Sequence, residues 1–256
     1  MNFPRLVSPS LTELFVKEMI RRILSGQMSV GERLPNVREL ARMMKVSRAV
    51  ISNGFTHLGR MGFVEIIPRQ GVFVADYRLK GTMEALREFL EYNGGRFDPA
   101  MMDSIHEIRD CQEVHIVRLA AERRTERDVA DLRAQIKVLE SASELETLAE
   151  EAFTFSLLLA RASGNVLYPM LIYSRKIIYE PVLLAVFRHI PKTGRLERMR
   201  RIVDLIEAKK VNEAVEYVYE TNALTRKIIQ ARCEPGQPYM REQPLQFAYP
   251  VLEDAP

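Results

Sequence analysis

The chain has 256 residues, 47% of them hydrophobic and 28% charged, with a net charge of +3. That length admits one large or two ordinary domains, and that apolar content excludes wholesale disorder. Residues 1–78 carry 12 Lys/Arg against 6 Asp/Glu and the remainder 25 against 28, so a basic first third points to a polyanionic partner.

In chain order, MNFPRLVSPSLTELF lacks the basic segment and apolar run of a secretory signal. From Leu11 to Leu24 apolar residues recur at 11, 14, 15, 19, 20, 23 and 24, which predicts a helix that Gly26 ends. GERLP reads as a turn. Asn36 with Glu39 three positions later forms a capping box that opens a short helix through Met44. Lys45 and Val46 connect it to a helix capped by Ser47 and closed at Gly62. One face of that helix carries Val50, Ile51, Phe55 and Leu58, the other Arg48, Ser52, Asn53 and Thr56. Gly54 sits near its middle, where it should cost about 1 kcal/mol relative to alanine. FVEII reads as a strand, PRQG as a turn and VFVAD as a returning strand. Three helices, a strand, a turn and a strand make the layout of a winged helix-turn-helix.

The stretch LPNVRELARMMKVSRAVISNGFTHLGRMGFVEIIPRQGVFV resembles the DNA-binding domain of GntR-family bacterial regulators. Leu34-Pro35, Arg38 to Ala41, Val46 to Arg48 and Gly71 to Val74 carry the resemblance. It implies a double-stranded DNA operator as partner, with the helix from Ser47 lying in the major groove. Ser47 would donate to a phosphate at a helix N-terminus, and Arg48 would reach a phosphate or a guanine edge. Ala49, Ser52 and Asn53 join them, Arg38 reaches the groove or backbone, and Arg69 and Gln70 at the wing tip reach the minor groove or a phosphate. Where many relatives read V-R-E-A-L, this chain reads Ile51-Ser52-Asn53-Gly54-Phe55. Ser52 in place of arginine implies a different or more tolerant operator preference. Asn53 either contacts adenine or is a neutral surface substitution. Gly54, at the alanine position, implies close packing against the rest of the domain.

After Asp76 the pattern is helical almost to the end. Residues 1–76 read as the DNA-binding domain, 77–82 as a linker, and 83–232 as an all-α effector-binding and dimerisation domain of six or seven helices. Residues 233–256, with five prolines, read as an extended or disordered tail. One helix starts at Gly81-Thr82 and ends at Asn93-Gly94-Gly95. Asp98 caps the next and Pro99 opens it. Thr125 with Asp128 begins another, and further helices cover 144–162, 166–180, 181–190, 194–209 and 211–231. Apolar pieces such as FSLLLA fall short of the ~18 residues of a membrane span. Cys111 and Cys233 stand outside any C-x-x-C pattern. A reduced cytoplasmic protein with no membrane partner is therefore expected.

IRDCQEVHIVRLAAERRTERDVADL resembles the start of the FCD domain, the helical effector domain of one GntR branch, through Arg109, Glu113, Ala120-Ala121 and Thr125. FTFSLLLARASGNVLYPMLIYSRKIIY is similar to the FadR/FCD branch through its core from Phe155 to Tyr168. Many members bind a divalent metal with an Asp, a His four residues on and two later His. The positions corresponding to those ligands are Ala152, Ser156, Met199 and Thr221 or Asn222, which are poor metal ligands. The resemblance thus implies no metal and no cofactor, and leaves room for a small organic effector. A fatty acid, acyl-CoA or carboxylate follows by analogy alone. Arg109 pairs either with an effector carboxylate or phosphate, with Asn165 and Tyr168 hydrogen-bonding nearby, or with Glu113 four residues on.

The leading reading is a homodimeric regulator presenting two recognition helices about one helical turn apart to a near-palindromic operator. A regulator that has lost its effector also fits. An enzyme on the helical domain would need a nucleophile and base, paired carboxylates, a metal cluster or a phosphate loop. Glu150 and Glu151 are adjacent and point apart, Gly94-Gly95 lacks a phosphate-loop lysine, and His57, His106, His115 and His189 have no ligand spacing.

Overall fold

Reciprocal capping sets the start of the first two helices. In α1 (Leu11–Leu24), the Ser10 hydroxyl accepts from the Glu13 N–H while the Glu13 carboxylate accepts from the Ser10 N–H. Asn36 and Glu39 repeat the device at α2 (Val37–Met43). Ser47 opens α3 (Arg48–Met61), and Gly62 closes it in the left-handed conformation, φ 87°. These elements belong to a computed structural model that describes residues 9–92 and 99–232. The chain divides into two compact units, Met1–Asn93 and Gly94–Pro256.

In the first unit, β1 (Val64–Ile67) and β2 (Gly71–Val74) form an antiparallel wing with Val64 opposite Val74. GERLP, expected as a turn, is more than that. Arg33 bridges Phe73, and the Leu34 and Gly31 N–H groups donate to the Val72 and Val74 carbonyls at 2.8 Å. The segment thereby satisfies the free edge of β2. Phe15, Met19 and Ile20 of α1, Leu40 of α2, Ile51, Phe55 and Leu58 of α3, and Phe63 and Val74 share one core. Gly54 is buried against α1, where a Cβ would overlap the Phe15 ring. That ring is in turn held edge-on to Phe55, with centroids 5.5 Å apart.

Two expectations for the following segment are corrected. Residues 77–82, read as a linker, contain a short helix α4 (Tyr77–Lys80) capped by Asp76. Helix α5 (Met83–Tyr92), assigned from sequence to the second domain, packs on α1 and α3 of the first unit. Ala85 enters that core, Tyr77 lies between Phe63 and Phe89, and His57 pairs with Glu84 at 2.9 Å. An amphipathic helix goes to whichever core covers its apolar face, and its sequence does not say which.

Seven helices of the second unit are described: α6 (Pro99–Arg123), α7 (Glu126–Ser141), α8 (Leu145–Ala162), α9 (Leu167–Ser174), α10 (Lys176–His189), α11 (Lys192–Glu207) and α12 (Val211–Arg232). Thr125 and Asp128 form the expected reciprocal cap of α7. Helix α8 is central, packing against α6, α7, α9 and α10. The break expected before Pro181 falls instead at Arg175, and Pro181 lies inside α10. A proline inside a helix costs about 3 kcal/mol. Its neighbours Tyr179, Val182, Leu183 and Val186 are all buried, each contributing roughly 1.5–3 kcal/mol, which outweighs that cost. The expected helix end at Asn93-Gly94-Gly95, the Asp98 cap and the tail 233–256 lie outside the described residues. Among the described residues no helix is long and apolar enough to cross a membrane.

The contact at Gly54 is testable. Gly54→Ala gains about 1 kcal/mol of helix propensity but overpacks the Phe15 ring, at a cost of roughly 1–3 kcal/mol. A net loss of about 1 kcal/mol is expected in chemical denaturation. A variant more stable than the parent would show that the α1–α3 contact is loose.

Candidate nucleic-acid interface and buried polar cavity

Helix α3 separates its residues cleanly by exposure. Ile51, Gly54, Phe55, Leu58 and Met61 are buried, whereas Arg48, Ala49, Ser52, Asn53, Thr56 and Arg60 are exposed. The exposed set recurs at helical spacing and forms one uninterrupted face. At its start the Ser47 oxygen accepts from the Val50 N–H at 3.3 Å, which leaves the hydroxyl proton free to be donated outward. Arg38 on α2 and Arg69 and Gln70 at the wing tip are also exposed. Every residue expected from sequence to meet DNA is therefore at the surface of this unit. Arg69 holds a left-handed backbone, φ 63°, which costs a non-glycine residue roughly 1–2 kcal/mol. The turn is closed by the Gln70 N–H donating to the Ile67 carbonyl.

In the helical unit a cavity of about 50 Å³ opens between α6, α8, α10 and α11. Arg109, Glu113, Arg195 and Arg198 are its charged lining, and Ile116, Phe155, Leu159, Ile172 and Leu183 are among its apolar lining. Glu113 accepts from Arg198 Nη2 at 2.9 Å, and its second oxygen accepts from Asn222 Nδ2 at 3.1 Å. Asn222 Oδ1 accepts from both Arg198 (2.8 Å) and Arg109 (3.2 Å). Arg198 Nε donates to Thr221 Oγ1 at 2.9 Å. Arg109 also reaches Asp110, at 3.3 Å, but Asp110 is shared with Arg226 at 2.8 Å. Arg195, only 6% exposed, makes no side-chain hydrogen bond or ion pair among the described residues, and its Nε lacks an acceptor.

The charges respond accordingly. Burial alone would raise the Glu113 carboxyl, but the Arg198 and Arg109 guanidinium groups overcome it and hold the group at about 2. Burial, with Arg198 and Arg109 close by, pushes Arg195 down to about 9, so it stays charged at neutral pH. His106, with neither ring nitrogen partnered, is pushed down to about 4 by burial and then by Arg109, and is neutral there.

Of the residues expected to meet an effector, Arg109, Ala152, Ser156 and Met199 line this cavity. Thr221 stands behind it, holding Arg198. Asn165 and Tyr168 do not line it. The Asn165 side chain accepts from the Leu167 N–H at the start of α9, and Tyr168 packs edge-on to His115. Both alternatives for Arg109 have some basis, since it lines the cavity and its Nε lies 4.0 Å from Glu113. Sequence reading missed Arg195, Arg198 and Asn222 as a group. The available signal was GRLERMRRIV, where Arg195 and Arg198 fall on the stripe of Met199 and Ile202. The metal positions of the FCD branch do not fit a metal in this chain. Ala152 and Met199 offer no hard donor, and the Ser156 hydroxyl donates to the Ala152 carbonyl. Among the described residues no three His, Cys, Asp or Glu side chains converge.

Comparison with known proteins places both units. The family described as bacterial regulatory proteins, gntR family, matches residues 12–74, and the FCD domain matches residues 104–221. The chain is 30% identical over 146 residues to the HTH-type transcriptional regulator LutR of Bacillus subtilis, covering 57% of this chain and 64% of that one. It thus spans just under two thirds of that relative's length. It is 26% identical over 177 residues to the regulator Mce2R of Mycobacterium tuberculosis, covering 69% of this chain and 73% of that one. A solved structure of Lar, which controls expression of the Listeria monocytogenes agr system, shares the fold. The TM-score is 0.56 at 17% identity, over 89% of this chain and 100% of that one.

The wiring of Glu113 sets a pH expectation. Its folded value of about 2 lies below the ordinary 4.5, so its contribution is present above pH 4.5 and is lost as pH falls towards 2. Glu113→Gln, which leaves buried guanidinium groups uncompensated, is expected to lower stability by about 3 kcal/mol at pH 7. It should also flatten the acid limb of a stability-versus-pH curve between those values. An unchanged acid limb would show that Glu113 is not held by the arginines.

Proposed function

The chain belongs to the gntR family of bacterial regulatory proteins with an FCD domain, and on that premise we propose that it binds operator DNA as a homodimer under the control of a small effector. The single exposed face of α3 carries this reading. Arg48, Ala49, Ser52 and Asn53 present a short, largely uncharged surface for base edges. Ser47 and Arg38 flank it for phosphates, and Arg69 and Gln70 extend from the wing. One recognition helix covers a single half-site, so two copies related by a two-fold axis would read a near-palindrome. Ser52 and Asn53 set the base preference, with Asn53 suited to adenine. The cavity of the FCD domain is the effector site, and an effector acts there by binding the DNA-competent and DNA-incompetent states unequally.

Gel shift or footprinting on DNA upstream of the chain's own gene tests the assignment. Arg48→Ala should weaken specific binding by roughly 1–3 kcal/mol, about 5- to 150-fold. Arg69→Ala should weaken binding more uniformly across sequences and reduce the salt slope by about 1. Undiminished sequence-specific binding by Arg48→Ala would overturn the assignment of α3.

A further inference from the structure

Helix α9 turns most of its apolar side chains outward. Its eight residues, LYPMLIYS, include no charged side chain, and only Ile172 is buried. Met170 is 68% and Tyr173 64% exposed, and Val166, just before the helix, is 82% exposed. Leu167 and Leu171 are exposed as well. These positions lie three and four apart, so they form one strip, and an exposed apolar strip of this kind marks an interaction surface. The strip is bounded where α10 begins. There Lys176 lies over the Phe153 ring, which neighbours Tyr173, and faces Glu150 at 3.8 Å.

A second copy of the chain is a poor match for so small a face. One eight-residue helix is about 12 Å long, and its outer strip falls well below the roughly 800 Å² per partner of a stable protein–protein interface. The chain's own C-terminal segment fits better. Residues 233–256 follow the end of α12 at Arg232. Within PLQFAYPVLED, Leu245, Phe247, Tyr249 and Val251 occupy alternate positions. In an extended backbone such residues share one face, and these four span about 20 Å, enough to cross the strip. Pro244 and Pro250 favour an extended chain that needs no ladder partner. The point of exit is within reach. Gln230 donates to Asp103 and Arg226 to Asp110, so α12 ends beside the start of α6. Tyr168 of α9 packs on His115 of α6, about 18 Å along that helix from Asp103 at 1.5 Å per residue. Residues 233–244 extend over roughly 40 Å.

We propose that residues 245–251 dock in extended form across the outer face of α9, with Leu245, Phe247, Tyr249 and Val251 laid against Leu167, Met170, Leu171 and Tyr173. Side chains alone make the contact, because the backbone groups of a helix are paired within it. The docked segment hides the apolar strip from water and from other copies of the chain. A homodimer of the kind proposed above then forms through another face. The inference goes beyond the regulator reading and does not rest on it.

Hydrogen–deuterium exchange should be compared between the full chain and a chain ended at Arg232. Removing the segment should speed exchange in residues 166–174 about tenfold and raise bis-ANS fluorescence, with the helical circular dichroism signal retained. Phe247→Asp combined with Tyr249→Asp should do the same in the full chain, and this double variant decides the matter if the shortened chain unfolds. A synthetic peptide of residues 243–254, added to the shortened chain, should restore slow exchange, and the same peptide carrying both substitutions should not. Met170→Asp, at an exposed position, should also speed exchange without changing the molecular mass in sedimentation. The proposal is overturned if exchange in residues 166–174 is unaffected by the double variant, or if the substituted peptide protects as well as the parent peptide. It is equally overturned if Met170→Asp halves the molecular mass, which would show that a second copy covers α9.

Discussion

Asn222 holds two guanidinium groups and a carboxylate at once. Its oxygen accepts from Arg109 and Arg198 and its nitrogen donates to Glu113. Through that one neutral side chain, α6, α11 and α12 are fixed around a polar centre in an otherwise apolar bundle. Such a centre is stable only when each member is satisfied, since breaking a buried ion pair costs about 3–5 kcal/mol. Glu113 and Arg198 meet that condition, whereas the Nε atoms of Arg109 and Arg195 lack a hydrogen-bond partner among the described residues. The positive sign of the cavity wall follows from this imbalance.

The DNA-binding unit rests on a steric constraint instead. Gly54 lets the Phe15 ring occupy the space where a Cβ would stand, and Phe15 locks edge-on to Phe55. The buried side of α3 is thereby fully used for packing. Its other side carries no packing duty, which leaves Arg48, Ser52 and Asn53 free to vary with the DNA they read. The departures from the family pattern at Ser52 and Asn53 lie on that unconstrained face.

Much of this was legible in the sequence because it is local. Asn36, Ser47 and Thr125 mark helix starts by hydrogen bonds made within three residues, and the structure places all three as caps. The wing strands follow from apolar, branched stretches bounded by turn residues, and the helical bundle from helical periodicity. What was not legible is decided at long range. The GERLP segment becomes a β-ladder partner only because β2 passes beside it, and α5 joins the first core because that core has a place for Ala85. Pro181 looks like a break until the burial on either side of it is known. Arg195 and Arg198, which nothing in the sequence singled out, are buried only because α6 and α12 pack beside α11. Asn165, taken from a motif, accepts from the Leu167 N–H at the start of α9, and Tyr168 packs on His115 of α6.

The central claim of the proposed function is that effector binding in the helical unit and DNA binding by α3 are one coupled equilibrium. Linkage makes that measurable without knowing how the two units move. The affinity of a small molecule that binds the helical unit should be measured calorimetrically on the free protein and on the protein saturated with operator DNA. The account predicts two different affinities, whose ratio equals the change in operator affinity caused by that molecule. Equal affinities in the two states would contradict it.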